Sequence, residues 1–239
     1  MKALILAAGV GSRLAPLTDR LPKSLIEVNG VPILMHQIEC LHLCGITDIT
    51  VVAGYLASIL TAAVRGKYPE ISVVESAEYA VTNNMYSAYL AGKAMDGHSF
   101  IMMNADVFFD ASVLRTLVNC PHPSAVAVDV GRYMEEAMKV TVREGKLTAI
   151  AKTIPAEEAL GASIDVYKFS PEASDAFFAR CSEYIEGRGD RRQWSEVALS
   201  DIFASVDFYP CPVEGRWMEI DNREDLLAAR MLFGEDGQK

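Results

Sequence analysis

Short apolar strands alternate with helix-like segments through residues 1–120, and this alternation constrains the fold more than any other feature of the chain. Residues 49–53 and 71–75 are rich in β-branched side chains, which is typical of buried strands. The other segments of this half are strands at 3–7 and 99–103 and helices at 32–44 and 56–66. Such alternation predicts a mostly parallel sheet with helices on both faces.

The pattern changes after residue 120, where several strand-like segments follow one another. They lie at 124–130, 139–143, 147–152 and 162–169. Strands in succession predict an antiparallel extension of the same sheet. Helices at 171–186, from 194 and at 222–233, and strands at 208–213 and 216–220, complete the chain. No repeat or linker divides residues 1–239, so we expect one Rossmann-like α/β domain with a mixed sheet.

Composition narrows the class of protein. The 239-residue chain carries a formal net charge of −10, which argues against nucleic acid as a partner. No apolar run approaches about 20 residues, so no membrane span is expected, and the N-terminal residues do not resemble a signal peptide. The five cysteines are odd in number and include no CxxC pair. This usage is typical of reduced thiols and predicts a cytoplasmic protein.

The first strand runs into a turn of small residues at 8–12, which contains Gly9 and Gly11. Glycine lets the backbone approach an anion closely, and the N–H groups of such a turn can bind phosphate. Arg13 follows with a planar fork of donors, and Lys23 adds a compact charge. The segment predicts a triphosphate cradle. The alternative is an ordinary strand-to-helix turn that is rich in glycine.

Two other phosphate-binding motifs do not fit this turn. A dinucleotide fingerprint requires a third glycine where Leu14 stands, and an acidic residue after the second strand, which ends in Gly54 and Tyr55. A P-loop requires its lysine directly after the glycines, whereas Lys23 is distant from them.

Asp106 and Asp221 each follow a predicted strand. Because ligands of parallel sheets lie beyond the carboxyl ends of the strands, both side chains are candidates for the same site. Two carboxylates can share a Mg²⁺ ion that also binds triphosphate oxygens. Taken separately, Asp106 is explained as a turn residue and Asp221 as the N-cap of the last helix.

Several motifs carry a resemblance to a known family. The segment LAAGVGSRL at 6–14, with Pro22-Lys23-Ser24, resembles the signature of nucleoside-triphosphate:phosphate-monoester nucleotidyltransferases. Asn104-Ala105-Asp106 and Glu219-Ile220-Asp221 resemble its two metal-binding positions, although Asn104 stands where many relatives have an acid. Residues 83–90, 138–140, 150–152 and 194–198 are similar to the bacterial phosphocholine cytidylyltransferase branch.

The resemblance implies transfer of CMP from CTP to a small phosphate or phosphonate acceptor, with release of pyrophosphate. Arg13 would bind the β- and γ-phosphates and Lys23 the α-phosphate, while Asp106 and Asp221 would hold Mg²⁺. Asn83, Asn84 and Ser87, at the start of a helix, would read cytosine or ribose. The implied nucleotide-binding set is Leu6, Ala8, Gly9, Gly11, Asn83, Asn84, Ser87 and Asp106.

The same resemblance divides the chain into a nucleotide-binding half (1–120) and an acceptor-binding half (121–239). It implies that a lysine lies near the acceptor phosphate, for which Lys152 and Lys139 are candidates. An ammonium group on the acceptor would be met by Glu196 or Asp165. Candidate aromatic faces for it are Trp194, Tyr167 and Trp217. Each of these side chains also has a purely structural explanation, as a surface or core residue.

Other functions stay open at this point. A sugar-1-phosphate or inositol-phosphate nucleotidyltransferase would share the N-terminal signature. A glycosyltransferase with an acid–Mg²⁺–diphosphate site would not explain the cradle of Gly9, Gly11, Arg13 and Lys23. A non-catalytic nucleotide-sensing domain would be expected to lose Lys23 or a metal-binding acid, and the chain retains them. The acceptor and the oligomeric state, a homo-oligomer included, are not determined.

Overall fold

The computed structural model describes residues 1–133 and 136–234. Its strands, numbered in chain order, are β1 (Lys2–Ala7), β2 (Glu27–Val28), β3 (Val31–Pro32), β4 (Ile49–Ala53), β5 (Ser72–Glu75), β6 (Phe100–Asn104), β7 (Val107–Phe109), β8 (Ala125–Val130), β9 (Lys139–Arg143), β10 (Lys146–Ala151), β11 (Gly161–Phe169), β12 (Tyr209–Pro212) and β13 (Trp217–Glu219). Its helices are α1 (Ile33–Leu43), α2 (Ala57–Lys67), α3 (Asn84–Leu90), α4 (Gly92–Met95), α5 (Ala111–Asn119), α6 (Pro171–Ser182), α7 (Ser195–Ile202) and α8 (Arg223–Leu232).

Nine strands of the described residues form one mixed sheet. Its main path runs β10-β9-β11-β6-β1-β4-β5, while β8 pairs with β11 and β12 pairs with β8. The pairs β1–β4, β1–β6 and β4–β5 are parallel, and β11 is antiparallel to β6, β8 and β9. The predicted parallel sheet with an antiparallel extension is therefore confirmed.

Strand β1 explains why helices cover both faces of the sheet. Its side chains point alternately to opposite faces, as the pleat requires. Ala3, Ile5 and Ala7 join a core cluster that also contains residues of α1, α2 and α5. Leu4 and Leu6 join a second cluster with residues of α3, α6 and α7. A strand that is apolar on both faces is thus buried in the middle of a three-layer α/β fold.

A third, smaller core cluster fixes the N-terminal loop beside the last helix. Leu14 and Ile26 of the loop pack in one cluster with Ile220 and with Leu226 of α8. Strand β13, which precedes this helix, pairs with β7 in a separate two-stranded sheet. This packing brings the loop that carries Arg13 and Lys23 next to the end of β13.

Two local features differ from the sequence expectations. Helix α5 is not predicted, although Val113, Leu114 and Leu117 form a buried stripe at helical spacing. The N-cap of α8 is Asn222, not Asp221: the Asn222 side chain accepts from the Asp225 N–H, and the Asp225 carboxylate accepts from the Asn222 N–H. No helix among residues 1–133 and 136–234 is long and apolar enough to cross a membrane.

Candidate active site

A cavity of about 330 Å³ opens where β1 and β6 end. Twelve residues singled out from the sequence line it, namely Leu6, Ala8, Gly9, Arg13, Asn83, Asn84, Ser87, Asp106, Lys152, Asp165, Trp194 and Glu196. Further lining residues, which that set does not include, are Tyr79, Thr82, Asn104, Glu136, Met138 and Glu219. One cavity thus joins side chains from both halves of the chain.

Oppositely charged side chains are paired at one end of this cavity, and we call Arg13, Lys23, Asp106 and Asp221 the ion-paired cluster. The Lys23 ammonium lies 2.9 Å from Asp106 Oδ2 and 2.7 Å from Asp221 Oδ1. The Arg13 guanidinium lies 2.8 Å from Asp221 Oδ2. Lys23 is largely buried, whereas the Arg13 side chain is 64% exposed. Both cations therefore meet at Asp221, and Lys23 also pairs with Asp106.

The contacts within the ion-paired cluster shift the pKa values of Lys23 and Asp221. Burial favours the neutral amine of Lys23, but the Asp106 and Asp221 carboxylates outweigh it and raise the pKa of Lys23 above its usual value. Burial also opposes ionisation of Asp221, yet the Lys23 and Arg13 charges lower the pKa of Asp221. Lys23 and Asp221 are accordingly charged at neutral pH.

Gly11 allows Lys23 to lie beneath the turn. A Cβ on Gly11 would meet the Lys23 Cβ at 2.8 Å, and the Gly11 φ of +64° is left-handed. Gly9 has nothing within 4 Å of a Cβ position, so the space beside the turn is open. The two glycines thus have different roles. Gly11 allows close packing against Lys23, and Gly9 leaves open space beside the turn.

Three carboxylates at this end fit a divalent metal ion. Asp106, Glu219 and Asp221 each offer an oxygen, and these oxygens lie within 4.8 Å of one another. Asp106 Oδ1 is buried and has no hydrogen-bond partner among the described residues. Carboxylate oxygens are ligands that Mg²⁺ prefers. Burial, with the nearby charges of Asp165, Asp106 and Asp221, raises the pKa of Glu219 to about 9.

Glu219 is the residue of this metal-binding group that lies outside the sequence-derived site set. The sequence did carry a signal for it, because Glu219 and Asp221 stand two apart and therefore point to the same side of an extended chain. The competing explanation of Asp221 as a helix cap is removed by the Asn222 cap. The Asp221 carboxylate therefore has no capping role and is bound by Lys23 and Arg13 instead.

Asn83 and Asn84 are hydrogen-bonded within the protein. Asn83 Oδ1 accepts from the Asn84 N–H at 2.8 Å, and Asn83 Nδ2 donates to the Arg192 carbonyl at 3.3 Å. Asn84 Oδ1 accepts from the Ser195 N–H at 2.8 Å, and its Nδ2 donates to Glu196 Oε2 at 3.4 Å. Ser87 is buried at the cavity wall. The two amides connect α3 to the chain around the start of α7.

Two further acidic side chains, Asp165 and Glu196, line the same cavity, and we call them the acid pair. The Tyr167 hydroxyl bridges them, at 2.8 Å from Asp165 Oδ1 and 3.0 Å from Glu196 Oε1. Asn104 Nδ2 donates to Asp165 Oδ2 at 3.1 Å. No ion pair reaches either acid within the described part of the chain. The acid pair is bound by neutral donors alone.

The backbone of β11 aims Asp165 into the cavity. The register of β11 with β8 shifts between Ser163 and Tyr167, and Asp165 has a left-handed φ of +57°. Such an irregularity re-aims a side chain relative to a regular strand. Burial, with the charges of Glu196 and Asp106, raises the pKa of Asp165 to about 7. Burial also raises the pKa of Glu196.

The candidate lysines and aromatic residues lie in different places. Lys152 lines the cavity, with its ammonium 5.3 Å from the centre of the Trp194 ring, and Trp194 is 43% exposed. Lys139 is buried outside this lining, where its ammonium lies 3.4 Å from the Ala137 carbonyl. Trp217 packs in the core and donates to Asp129 Oδ2, so it is not an aromatic wall of the cavity.

A glycine-containing turn, paired cations and a group of carboxylates at the end of a parallel sheet are typical of nucleotide-binding α/β enzymes. Residues 3–182 match the family described as MobA-like NTP transferase domain. The chain belongs to this family and is a nucleotidyltransferase, as the N-terminal signature predicts.

Curated relatives and solved structures match most of the chain. It is 39% identical to a 2-aminoethylphosphonate cytidylyltransferase of Lancefieldella rimae, over 95% of this chain and 90% of the relative. It is 27% identical to a CTP:phosphoglutamine cytidylyltransferase of Campylobacter jejuni, over 95% and 98%. The structure of the CTP:phosphocholine cytidylyltransferase LicC of Streptococcus pneumoniae aligns with a TM-score of 0.82 at 26% identity, over 98% and 99% of the two chains.

Proposed function

We propose that this nucleotidyltransferase transfers CMP from CTP to a small phosphate or phosphonate that carries an amine or ammonium group. The observation that carries the proposal is the acid pair, Asp165 and Glu196, which has no ion-pair partner among the described residues and lines the same cavity as Arg13 and Asp106 of the ion-paired cluster. Relatives named for aminoethylphosphonate and phosphocholine as acceptors support the same acceptor class.

The nucleotide would bind at the ion-paired cluster. The turn that contains Gly9 offers open space for phosphates, and Arg13 and Lys23 supply positive charge to them. Lys23 would exchange a carboxylate of Asp106 or Asp221 for a phosphate oxygen. Arg13 is exposed enough to follow the β- and γ-phosphates and to neutralise pyrophosphate as it leaves.

Asp106, Asp221 and Glu219 would hold Mg²⁺, which when bound supplies positive charge to the triphosphate oxygens. The residues of the chain orient the two substrates. Lys152 lies on the cavity wall, where its ammonium can bind the acceptor phosphate. A phosphate oxygen is already ionised at neutral pH, so no side chain has to remove a proton from it. Positioning and charge neutralisation then carry the reaction.

The acceptor cation would bind between the acid pair and Trp194. Asp165 and Glu196 lack a cation of their own, and burying unpaired carboxylates is costly. An ammonium from the substrate would remove that cost. The Lys152 ammonium lies over the Trp194 ring in the structure. When Lys152 binds the acceptor phosphate, this ring would offer a π face to the acceptor cation. A sugar phosphate carries no positive charge that could pair with these two carboxylates.

Pyrophosphate release tests the proposal. CTP, UTP, GTP and dTTP are each paired with phosphocholine, phosphoethanolamine, 2-aminoethylphosphonate, inositol phosphate and glucose 1-phosphate, with Mg²⁺ present. We expect the highest kcat/KM for CTP with an amine-bearing acceptor. Preference for UTP or dTTP with the sugar phosphate would overturn both assignments. CTP with inositol phosphate would leave the nucleotide assignment and overturn the ammonium site.

A further inference from the structure

We propose that Asn84 is a positioning residue for the acceptor, acting through Glu196, and that its amide does not read the nucleotide base. This inference rests on the proposed function, because it assigns Glu196 to the acceptor. The position of Asn84 at the start of a cavity-lining helix would by itself favour base recognition. The hydrogen bonds of its side chain reach Ser195 and Glu196 of α7 instead.

Both ends of the Asn84 amide are occupied by α7. Its carbonyl oxygen accepts from the Ser195 N–H, which has no partner inside the helix because Ser195 is the first residue of α7. Its NH₂ group donates to Glu196 Oε2. One side chain therefore fixes the start of α7 and the carboxylate that follows it. A base contact that turned this amide away from α7 would break at least one of these bonds.

Glu196 is held from its other side by Tyr167. The Tyr167 hydroxyl approaches Glu196 Oε1 while Asn84 approaches Oε2, so the two carboxylate oxygens have separate donors. Glu196 is 2% exposed, and water cannot replace either donor without opening the site. The orientation of this carboxylate toward the acceptor thus depends on Asn84 and Tyr167 together.

The hydrogen bonds continue to the far wall of the cavity. Tyr167 also reaches Asp165, and Asp165 accepts from Asn104 at the end of β6. A hydroxyl has one hydrogen, so Tyr167 donates to one acid of the pair at a time. Its contact with the other acid is a hydrogen bond when that acid is protonated and donates to the Tyr167 oxygen. The distance between the two carboxylates is fixed by this bridge, which suits a single cation bound between them.

A double-mutant cycle on Asn84 and Glu196 tests the proposal. We expect Asn84→Ala to raise the acceptor KM about tenfold, the order expected for a lost hydrogen bond to a charged group, with the CTP KM within about twofold and base selectivity unchanged. In the Glu196→Gln background the same substitution should have little further effect, because residues that act through one another are not additive. Additive effects, or a change in CTP KM or base selectivity, would overturn it.

Tyr167→Phe keeps the buried ring and removes the hydroxyl, so it perturbs Glu196 from the other side if Asn84→Ala fails to fold. It should raise the acceptor KM and leave the CTP KM unchanged; a change in CTP KM alone would contradict the inference. Ser170→Ala, which removes the side-chain cap of α6 outside the cavity, controls for lost helix capping.

Failure of the two proposals is distinguishable. If the wild-type enzyme turns over only acceptors that carry no positive charge, the assignment of an ammonium site is wrong. The double-mutant cycle is then run with the acceptor that the enzyme uses. Asn84 then stands if the KM effect stays with that acceptor and is non-additive with Glu196→Gln. It falls if the effect moves to the nucleotide.

Discussion

Two groups of carboxylates in this region of the protein have opposite partners. At the ion-paired cluster, Asp106 and Asp221 are bound to Lys23 and Arg13. At the acid pair, Asp165 and Glu196 are bound to Tyr167, Asn84 and Asn104, which are neutral. The pKa values follow this difference: that of Asp221 is lowered and that of Asp165 is raised to about 7.

This difference indicates which kind of ligand each group of carboxylates binds. Carboxylates that are paired with cations are suited to binding an anion together with a metal ion. Lys23 and Arg13 can then exchange their carboxylate partners for phosphate oxygens, while the carboxylates bind the metal. Acids without cations suit a ligand that brings its own positive charge, since an unpaired buried carboxylate is destabilising. The predictions below test this comparison, beginning with the largest expected effect.

Lys23→Ala should lower turnover by about 10²–10³, the order lost when one preorganised charge contact to the reacting group is removed. Pyrophosphate release under saturating substrates measures it. Lys67→Ala is the matched control, because Lys67 also pairs with an acid but lies at the exposed surface, where such pairs contribute little. Near-normal turnover of the Lys23 variant would remove it from the catalytic group.

Asp221→Asn should lower turnover at limiting Mg²⁺ on the order of 100-fold, the upper range for loss of a group that supports a metal ligand. Its unfolding midpoint should not fall through loss of a cap, since Asn222 caps α8. Asn222→Ala is the complementary variant. It should lose about 1 kcal/mol of stability and keep its Mg²⁺ dependence. The reverse pattern would restore Asp221 to a structural role.

The acceptor KM should fall as pH rises through about 7. An ammonium binds the ionised carboxylate, and the raised pKa means that the ionised fraction of Asp165 grows in this range. Between about pH 6 and about pH 8 the change should be about tenfold. The control is the Asp165→Asn variant. The acceptor phosphate titrates in the same way with both proteins, so a difference between the two pH profiles reports on Asp165. Parallel profiles for the two proteins would contradict the role of Asp165.

Trp194→Leu should raise the KM of a quaternary ammonium acceptor roughly two- to fivefold, as expected for an exposed cation–π contact. Trp194 is partly exposed, so folding should change little, and thermal unfolding checks this. Trp194→Phe retains a ring and should recover most of the affinity. Equal losses in both variants would mean that the size of the indole matters and its π face does not.

The strands and the phosphate turn were predictable because their signals are local. Periodicity and β-branched residues mark β4, and Gly9, Gly11 and Arg13 lie within five residues of one another. The choice of Asn222 over Asp221 as helix cap was also encoded, because Asp225 stands three residues after Asn222 and completes a capping box. Asp and Asn are both favoured at N-cap positions. The position of Asp225, three residues after Asn222, selects Asn222 as the cap.

The links across the cavity were not predictable in the same way. Asp165 and Glu196 were candidates from the resemblance, but the Tyr167 bridge depends on the shifted register of β11 against β8 and on how α7 packs. The Asn84 contact with Glu196 joins residues 112 positions apart. Hydrogen bonds between side chains of distant elements produce no periodic pattern in the sequence. The side-chain chemistry of these residues therefore indicated that they were site candidates, but it did not indicate which residues they contact.

One measurement tests most directly whether the acceptor end takes its cation from the substrate. It compares kcat/KM for phosphocholine and for 3,3-dimethylbutyl phosphate, in which carbon replaces the charged nitrogen at nearly the same shape. With CTP and Mg²⁺ saturating, we expect the charged acceptor to be preferred at least about tenfold, and the preference to disappear in the Asp165→Asn, Glu196→Gln double variant. Equal use of the two acceptors by the wild-type enzyme would contradict the account.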